Sequence, residues 1–226
     1  MNRGHLDSEL RSLKDGLLAM AGVAEEMIKL TMRAYSEKSD QLAELVIGMD
    51  MTLDDMEIKL DRACVDFLAL QSPMASDLRF TTSAIKILAD VERIGDHCVN
   101  IARRASMVNH LEPILPGGLL EDLGTETNSM VRRSVQAFVA SDADIAREVI
   151  NSDDRVDELY DHCYHELLRQ MMSNPLTIER ASNLIIVIKN WERIADLSTN
   201  IAEEVLYIIE GISAKHPNLH KEATSE

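Results

Sequence analysis

The stretch Asp90-Val91-Glu92-Arg93-Ile94-Gly95-Asp96-His97-Cys98-Val99-Asn100-Ile101-Ala102 returns one hundred residues later as Asn190-Trp191-Glu192-Arg193-Ile194-Ala195-Asp196-Leu197-Ser198-Thr199-Asn200-Ile201-Ala202. In both copies the apolar residues recur every three or four positions, the period of a helix with one buried face. The glutamate, aspartate and asparagine recur every four, so they share a second face that drifts by about 40° per step. A long amphipathic helix is therefore present twice, with the same polar row beside the same oily stripe.

The periodicity extends in both directions. The stripe Ile87, Val91, Ile94, Cys98, Ile101, Ala105 and Val108 predicts a helix over about Met74 to Val108, and Val187 through Ile208 predicts its counterpart over about Leu176 to Ile212. Before the first of these lie two more helical patterns, about His5 to Tyr35 and Gln41 to Leu70, separated by the polar run Ser36 to Asp40. Before the second lie helices over about Leu119 to Val139 and Asp142 to Met172, with Ser141 and Asp144 spaced as a capping box. Ser72-Pro73 and Asn174-Pro175 stop one helix and restart the next, because proline is tolerated in a first turn but not in a helix interior. A shift of 103 residues pairs Met27 with Met130, Tyr35 with Phe138, Val46 with Val149, Asp50 with Asp153 and Asp54 with Asp157. Strand signals are nearly absent. The expected fold is all-α: six long helices in two tandem, pseudo-symmetric three-helix bundles, each with its own core. The first bundle is expected over residues 1–112 and the second over 119–212, joined by a Pro/Gly linker at 113–118 and followed by a polar tail at 213–226.

Of the 226 residues 46% are apolar but only 4% aromatic, which suits an aliphatic helix-on-helix core. Thirty-nine acidic against 23 basic residues give a net charge of −16, a field that repels phosphate backbones and disfavours direct nucleic-acid binding. Cations, or a basic face on a protein partner, suit it better. Met1 to His5 lead into charged helix rather than an apolar leader, and runs such as Leu184 to Ile188 are too short to span a bilayer. A cytoplasmic protein is expected, reaching a membrane only through partners. Cys64, Cys98 and Cys163 are far apart among apolar neighbours and read as buried thiols.

The acidic rows carry the only candidate chemistry. Like charges four apart on a helix repel by a few tenths of a kcal/mol, so Glu92 with Asp96 and Glu192 with Asp196 call for a counter-charge. Asp50 and Asp54 have the same spacing on the second helix, and Asp153 and Asp157 on the fifth. If the second and third helices of each unit pack antiparallel, four carboxylates can converge on one groove, an oxygen-rich set suited to magnesium, manganese, iron or zinc. Spacing alone leaves open whether the rows meet, or are solvated faces balanced by Arg93, Arg103, Arg104 and Arg193. His97, His162 and His165 are weaker ligand candidates, and Trp191 and the methionines read mainly as core filling. No Glu-x-x-His, HExxH, P-loop or GxGxxG occurs, so the chain is not expected to be an enzyme.

Gln71-Ser72-Pro73-Met74-Ala75-Ser76-Asp77-Leu78-Arg79, Asp90 to His97 and Trp191 to Asp196 resemble the PhoU family, and the likeness covers about residues 5 to 212. The resemblance implies two tandem three-helix bundles, often dimeric, in which a duplicated acidic motif carries metal ions: iron, zinc, magnesium or manganese. That role would fall on Glu92 and Asp96, on Glu192 and Asp196, on the acidic partners Asp50, Asp54, Asp153 and Asp157, and more weakly on Asn100 and Asn200. It further implies a non-enzymatic negative regulator of phosphate uptake and starvation signalling, bridging the ATPase subunit of a phosphate ABC transporter to a sensor histidine kinase at the inner membrane. A metal-free helical scaffold and a metal-dependent hydrolase or oxidase are the alternatives. The second half has Ala195 for Gly95 and Thr177-Ile178-Glu179 for Asp77-Leu78-Arg79, so the two sites are expected to differ.

Overall fold

A computed structural model describes residues 3–71, 73–116 and 118–211. Ser72, Gly117, the expected helix end at Ile212 and the tail 213–226 lie outside the described residues. Six helices follow one another: α1 (Arg3–Ser36), α2 (Asp40–Gln71), α3 (Ala75–Val108), α4 (Leu119–Ala140), α5 (Ala143–Ser173) and α6 (Ile178–Glu210). The first three pack together as one bundle and the last three as another. No described helix is long and apolar enough to cross a membrane.

The helix junctions repeat in chemistry as well as in place. Lys38 and Ser141, equivalent under the shift of 103, are the two described non-glycine residues with positive φ, at 51° and 52°. Each turns the chain so that the next residue caps the following helix. Ser39 Oγ accepts from the Leu42 amide at 3.3 Å, and Asp142 Oδ1 accepts from Asp144 and Ile145 at 2.9 and 3.1 Å. The expected Ser141–Asp144 capping box is therefore corrected by one residue: Ser141 closes α4 in the left-handed region, and Asp142 is the N-cap of α5. Before α6, Asn174 caps a single 3-10 turn, Pro175–Thr177, so α6 starts at Ile178 rather than near Leu176.

The core stripes are buried much as periodicity predicts, including Met20, Met27, Ile87, Ile94, Met130 and Trp191. The two halves do not keep separate cores. One continuous cluster of buried side chains runs through all six helices, and the largest helix–helix interface joins the two bundles, α3 on α6. These helices are antiparallel. Ser83 Oγ donates to Glu204 Oε2 at 2.9 Å, His97 Nδ1 lies 2.8 Å from Asn190 Oδ1, and Arg104 donates to Asn183 Oδ1 at 3.2 Å. These seam positions are multiples of seven apart, the register of a coiled-coil contact. Under the shift of 100, Ser83 corresponds to Asn183 and Arg104 to Glu204, so the two outer contacts occupy equivalent corners about a pseudo-two-fold axis. The linker is also part of the packing: Leu115 is buried, Lys38 Nζ donates to the Leu111 carbonyl, and Arg180 donates to that of Glu112.

The seam depends on a buried carboxylate. Glu204 is 5% exposed and accepts from Ser83 and from Lys86 Nζ at 3.0 Å. Glu204→Ala strands a fully buried hydroxyl and is expected to lower stability to urea by about 1–3 kcal/mol. Lys86→Ala leaves the same buried carboxylate without its counter-charge and is expected to cost a comparable amount, about 1–3 kcal/mol.

Candidate metal centre

Each acidic row is built by one helix and aimed by its neighbour. On α2, Leu53 is fully buried against α1 and α3, which leaves Asp50 and Asp54 on the flank turned toward α3. On α3 the buried Val91, Ile94, Gly95 and Cys98 hold Glu92 and Asp96 at the edge of the same seam, Glu92 half-buried and Asp96 exposed. Close approach is possible because residue 95 has no side chain. A Cβ there would lie 2.3 Å from Leu53 Cδ2 and 3.6 Å from Asp50 Oδ1. In the second half the equivalent positions hold Ala195 and Val156, both buried, so one methyl gained on α6 is matched by one methylene lost on α5.

The electrostatics show that the rows face each other. The Asp50 carboxyl is raised above its ordinary range, first by burial and then by the charges of Asp54 and of Asp96 across the groove, against a smaller pull from Arg103. Burial likewise raises Glu92, with Asp96, Asp54, Glu57 and Asp50 adding to it. In the second half Asp153 is pushed up to about 6, by burial and then by Asp157, Asp196, Asp154 and Glu192. Asp157 is raised by burial, Glu192, Asp196, Asp161 and Asp154. Each bundle therefore brings its four predicted carboxylates into one field. Among the described residues they do not close into a ready-made group of three or more ligands, so a shared ion requires side chains to turn inward. Asn100 is exposed and Asn200 half-buried, one turn beyond each row.

The two rows differ in their counter-charges. Lys189 lies 2.9 Å from Glu192, and Arg193 lies 3.0 Å from Asp196. Position 89, equivalent to Lys189, is alanine, and Arg93 pairs with Asp90 at 3.8 Å. Of the arginines considered as balancing charges, Arg193 and Arg103 act on the acids, whereas Arg104 serves the α3–α6 seam. His97 also belongs to that seam; the Asn190 amide donates to the Ile186 carbonyl, which leaves its Oδ1 to accept from His97 Nδ1. His162 and His165 are exposed beside the linker. The three thiols are buried and held protonated, Cys64 pushed up to about 11 and Cys163 to about 12, Cys98 raised further by complete burial. Sequence reasoning missed Glu57, Asp154 and Asp161. Asp161 continues the four-residue spacing of Asp153 and Asp157, and Glu57 lies three residues beyond Asp54, so both were legible as extensions of a row.

The model of the PhoU domain matches the chain twice, over residues 17–105 and 120–205. A phosphate-specific transport system accessory protein PhoU homolog from Pseudomonas aeruginosa is 36% identical over 94% of this chain and 88% of its own length. One from Aquifex aeolicus is 36% identical over 95% of this chain and 97% of its own. The crystal structure of PhoU from P. aeruginosa superposes with a TM-score of 0.87 at 35% identity, covering 91% of this chain and 99% of that one. The phosphate transport system regulatory protein PhoU from Streptococcus pneumoniae gives a TM-score of 0.86 at 28% identity, covering 92% and 99%.

Two outcomes are expected. Gly95→Ala should lose about 1–3 kcal/mol by overpacking against Leu53, and adding Leu53→Val, the pair used by the second half, should recover most of it in urea denaturation. Asp153 titrates near 6 in the fold against an ordinary 3.8, so the native state binds this proton more tightly than the unfolded chain. The stability contributed by its proton is complete below about 4 and is lost as pH rises through about 6. The thermal midpoint of metal-free protein should therefore fall across that window, and less steeply in Asp153→Asn.

Proposed function

The chain belongs to the PhoU family of non-catalytic phosphate-transport regulatory proteins, and from that premise we propose that it is a metal-binding adaptor that restrains phosphate uptake and phosphate-starvation signalling. In this reading it works in the cytoplasm. It binds the ATPase subunit of a phosphate ABC transporter and a sensor histidine kinase, and meets the inner membrane only through them. A homodimer is part of the same proposal.

The observation that carries the metal role is the opposition of two acidic rows within each bundle. The aliphatic seams between α2 and α3, and between α5 and α6, partly bury the carboxylates and hold them against their mutual repulsion; burial first, and repulsion second, raises their proton affinity. The donors are all carboxylate oxygens, with asparagine amides one turn away, a set that fits hard or intermediate divalent ions. Asp50, Asp54, Glu92 and Asp96 would hold an ion in the first bundle, and Asp153, Asp157, Glu192 and Asp196 in the second. Asn100 and Asn200 are further candidates. When bound, the ion would supply positive charge between two helices. The residues themselves set how far the helices stand apart: with the ion they are drawn together, and without it they repel. Lys189 and Arg193 already neutralise part of the second row, so the first site is the more dependent on a cation. Exposed apolar side chains at the α2–α3 and α5–α6 turns, Leu70 and Met74 in one and Met172 and Leu176 in the other, suit docking onto partners.

The test is metal content and partner binding of protein purified without an affinity tag. Glu92→Gln with Asp96→Asn, and Glu192→Gln with Asp196→Asn, are expected to lose bound metal and to weaken capture of the transporter ATPase and the kinase by about tenfold or more. The first pair also removes like-charge repulsion, so without metal it should be at least as stable as the parent chain; the second pair gives up the Lys189 and Arg193 ion pairs as well and should gain less. Unchanged metal content together with unchanged partner binding would take the metals out of the mechanism.

A further inference from the structure

The outward faces of α2 and α5 are equivalent under the shift of 103 and yet opposite in chemistry. Among the described residues α2 packs against α1 and α3 alone, so one side of it touches nothing. That side, opposite the buried Leu53, Cys64 and Phe67, carries Met51, Asp55, Ile58, Arg62 and Val65. These residues alternate four and three apart, the spacing of a coiled-coil seam, and stay within about 80° of one another around the helix. Met51, Ile58 and Val65 are 75%, 46% and 51% exposed. The same positions on α5 hold Asp154, Glu158, Asp161, His165 and Leu168. One exposed apolar side chain needs no explanation, but three on one line, two of them acids in the sister helix, mark a surface that is covered by something.

The α2 stripe is complementary to itself. Ile58 stands seven residues after Met51 and seven before Val65, with Asp55 three before it and Arg62 four after. Two copies of α2 laid antiparallel about a two-fold axis at Ile58 therefore set Ile58 on Ile58 and Met51 on Val65. The same axis brings Asp55 within one residue, about 1.5 Å of rise, of Arg62 in the second copy, and the ion pair forms twice. Among the described residues the side chains of Asp55 and Arg62 have no ion pair or hydrogen bond within their own chain. Farther out the axis brings Gly48 within one residue of Ala69, small against small. A Cβ on Gly48 would meet nothing within 4 Å, so the chain's own packing does not require the glycine. Its place in a helix interior costs about 1 kcal/mol relative to alanine. A net charge of −16 by itself would call for a basic partner, and the acidic α5 face fits that description. An arginine inside the α2 stripe, with an acid at the mirrored position, is what a second copy of the same face requires.

We propose that the outward face of α2 is the surface on which two copies of this chain pair, antiparallel, about a two-fold axis at Ile58. The inference rests on the homodimer included in the proposed function and gives that dimer its surface; the metal role does not enter. Each copy uses one patch and meets the same patch, so the contact closes at two and leaves α5 free.

The test is sedimentation equilibrium of the full chain as purified, from about 1 to about 100 µM, where the parent chain is expected to dimerise. Arg62→Glu turns both attractions into repulsions and should weaken the dimer about tenfold or more. Asp55→Arg combined with Arg62→Glu restores both pairs in the reverse sense and should recover it. Ile58→Asp, which copies position 161, should leave monomer, whereas His165→Glu, the same change on α5, should leave the dimer intact. All of these side chains are exposed, so helix content should match the parent's in every variant. A parent chain still monomeric at about 100 µM overturns this pairing and the homodimer together. A dimer that survives Arg62→Glu and Ile58→Asp, or one that the charge swap does not recover, overturns the α2 surface and leaves the homodimer standing.

Discussion

Antiparallel packing of α3 on α6 is the constraint from which the rest of the molecule follows. Each of these helices is the third of its own bundle, and each uses one flank for its bundle and another for its counterpart. Ser83 on Glu204, His97 on Asn190 and Arg104 on Asn183 pin the register. A one-residue slip on a helix rotates every side chain by about 100°, so these polar contacts leave one alignment that satisfies them all. With α3 and α6 set, the flanks bearing Glu92 with Asp96 and Glu192 with Asp196 are turned outward, toward α2 and α5.

Each row then works against the packing that holds it. Aliphatic contacts such as Leu53 against Gly95 draw the helices together, and the carboxylates on the same flank push them apart. Natural sequences tend to agree with their fold at every level, and a local conflict kept in both repeats is where function is expected. The energy of the hydrophobic seam is what allows the charges to stand so close.

Duplication gives an internal comparison. Gly95 with Leu53 and Ala195 with Val156 keep the summed side-chain volume of two buried positions nearly constant, so this departure in the motif is matched by a compensating change on the neighbouring helix. Lys189 and Arg193 are a real electrostatic difference, because the first row has alanine at position 89 and Arg93 turned to Asp90. The exchange of Phe80 and Phe138 for Arg180 and Tyr35 changes a filled corner into a cavity. Two copies of one fold have thus been specialised by substitutions at equivalent positions.

The six helices, the repeat and the membership of each acidic row could be read from the chain, because helical period is a local property and a shift of about 100 residues exposes the duplication. Glu57 and Asp161 were equally legible by spacing, although neither was picked out. What the sequence could not supply was anything set by side chains from distant helices meeting. A separate core was expected for each half, and a single one runs through both; the polar residues that join them, Ser83, His97, Asn190 and Glu204, look in sequence like ordinary surface positions. The capping of α5 by Asp142 instead of Ser141 turned on one backbone angle. That the rows face each other was decided only by tertiary packing, because burial and electrostatic coupling depend on distances through space that sequence separation does not encode.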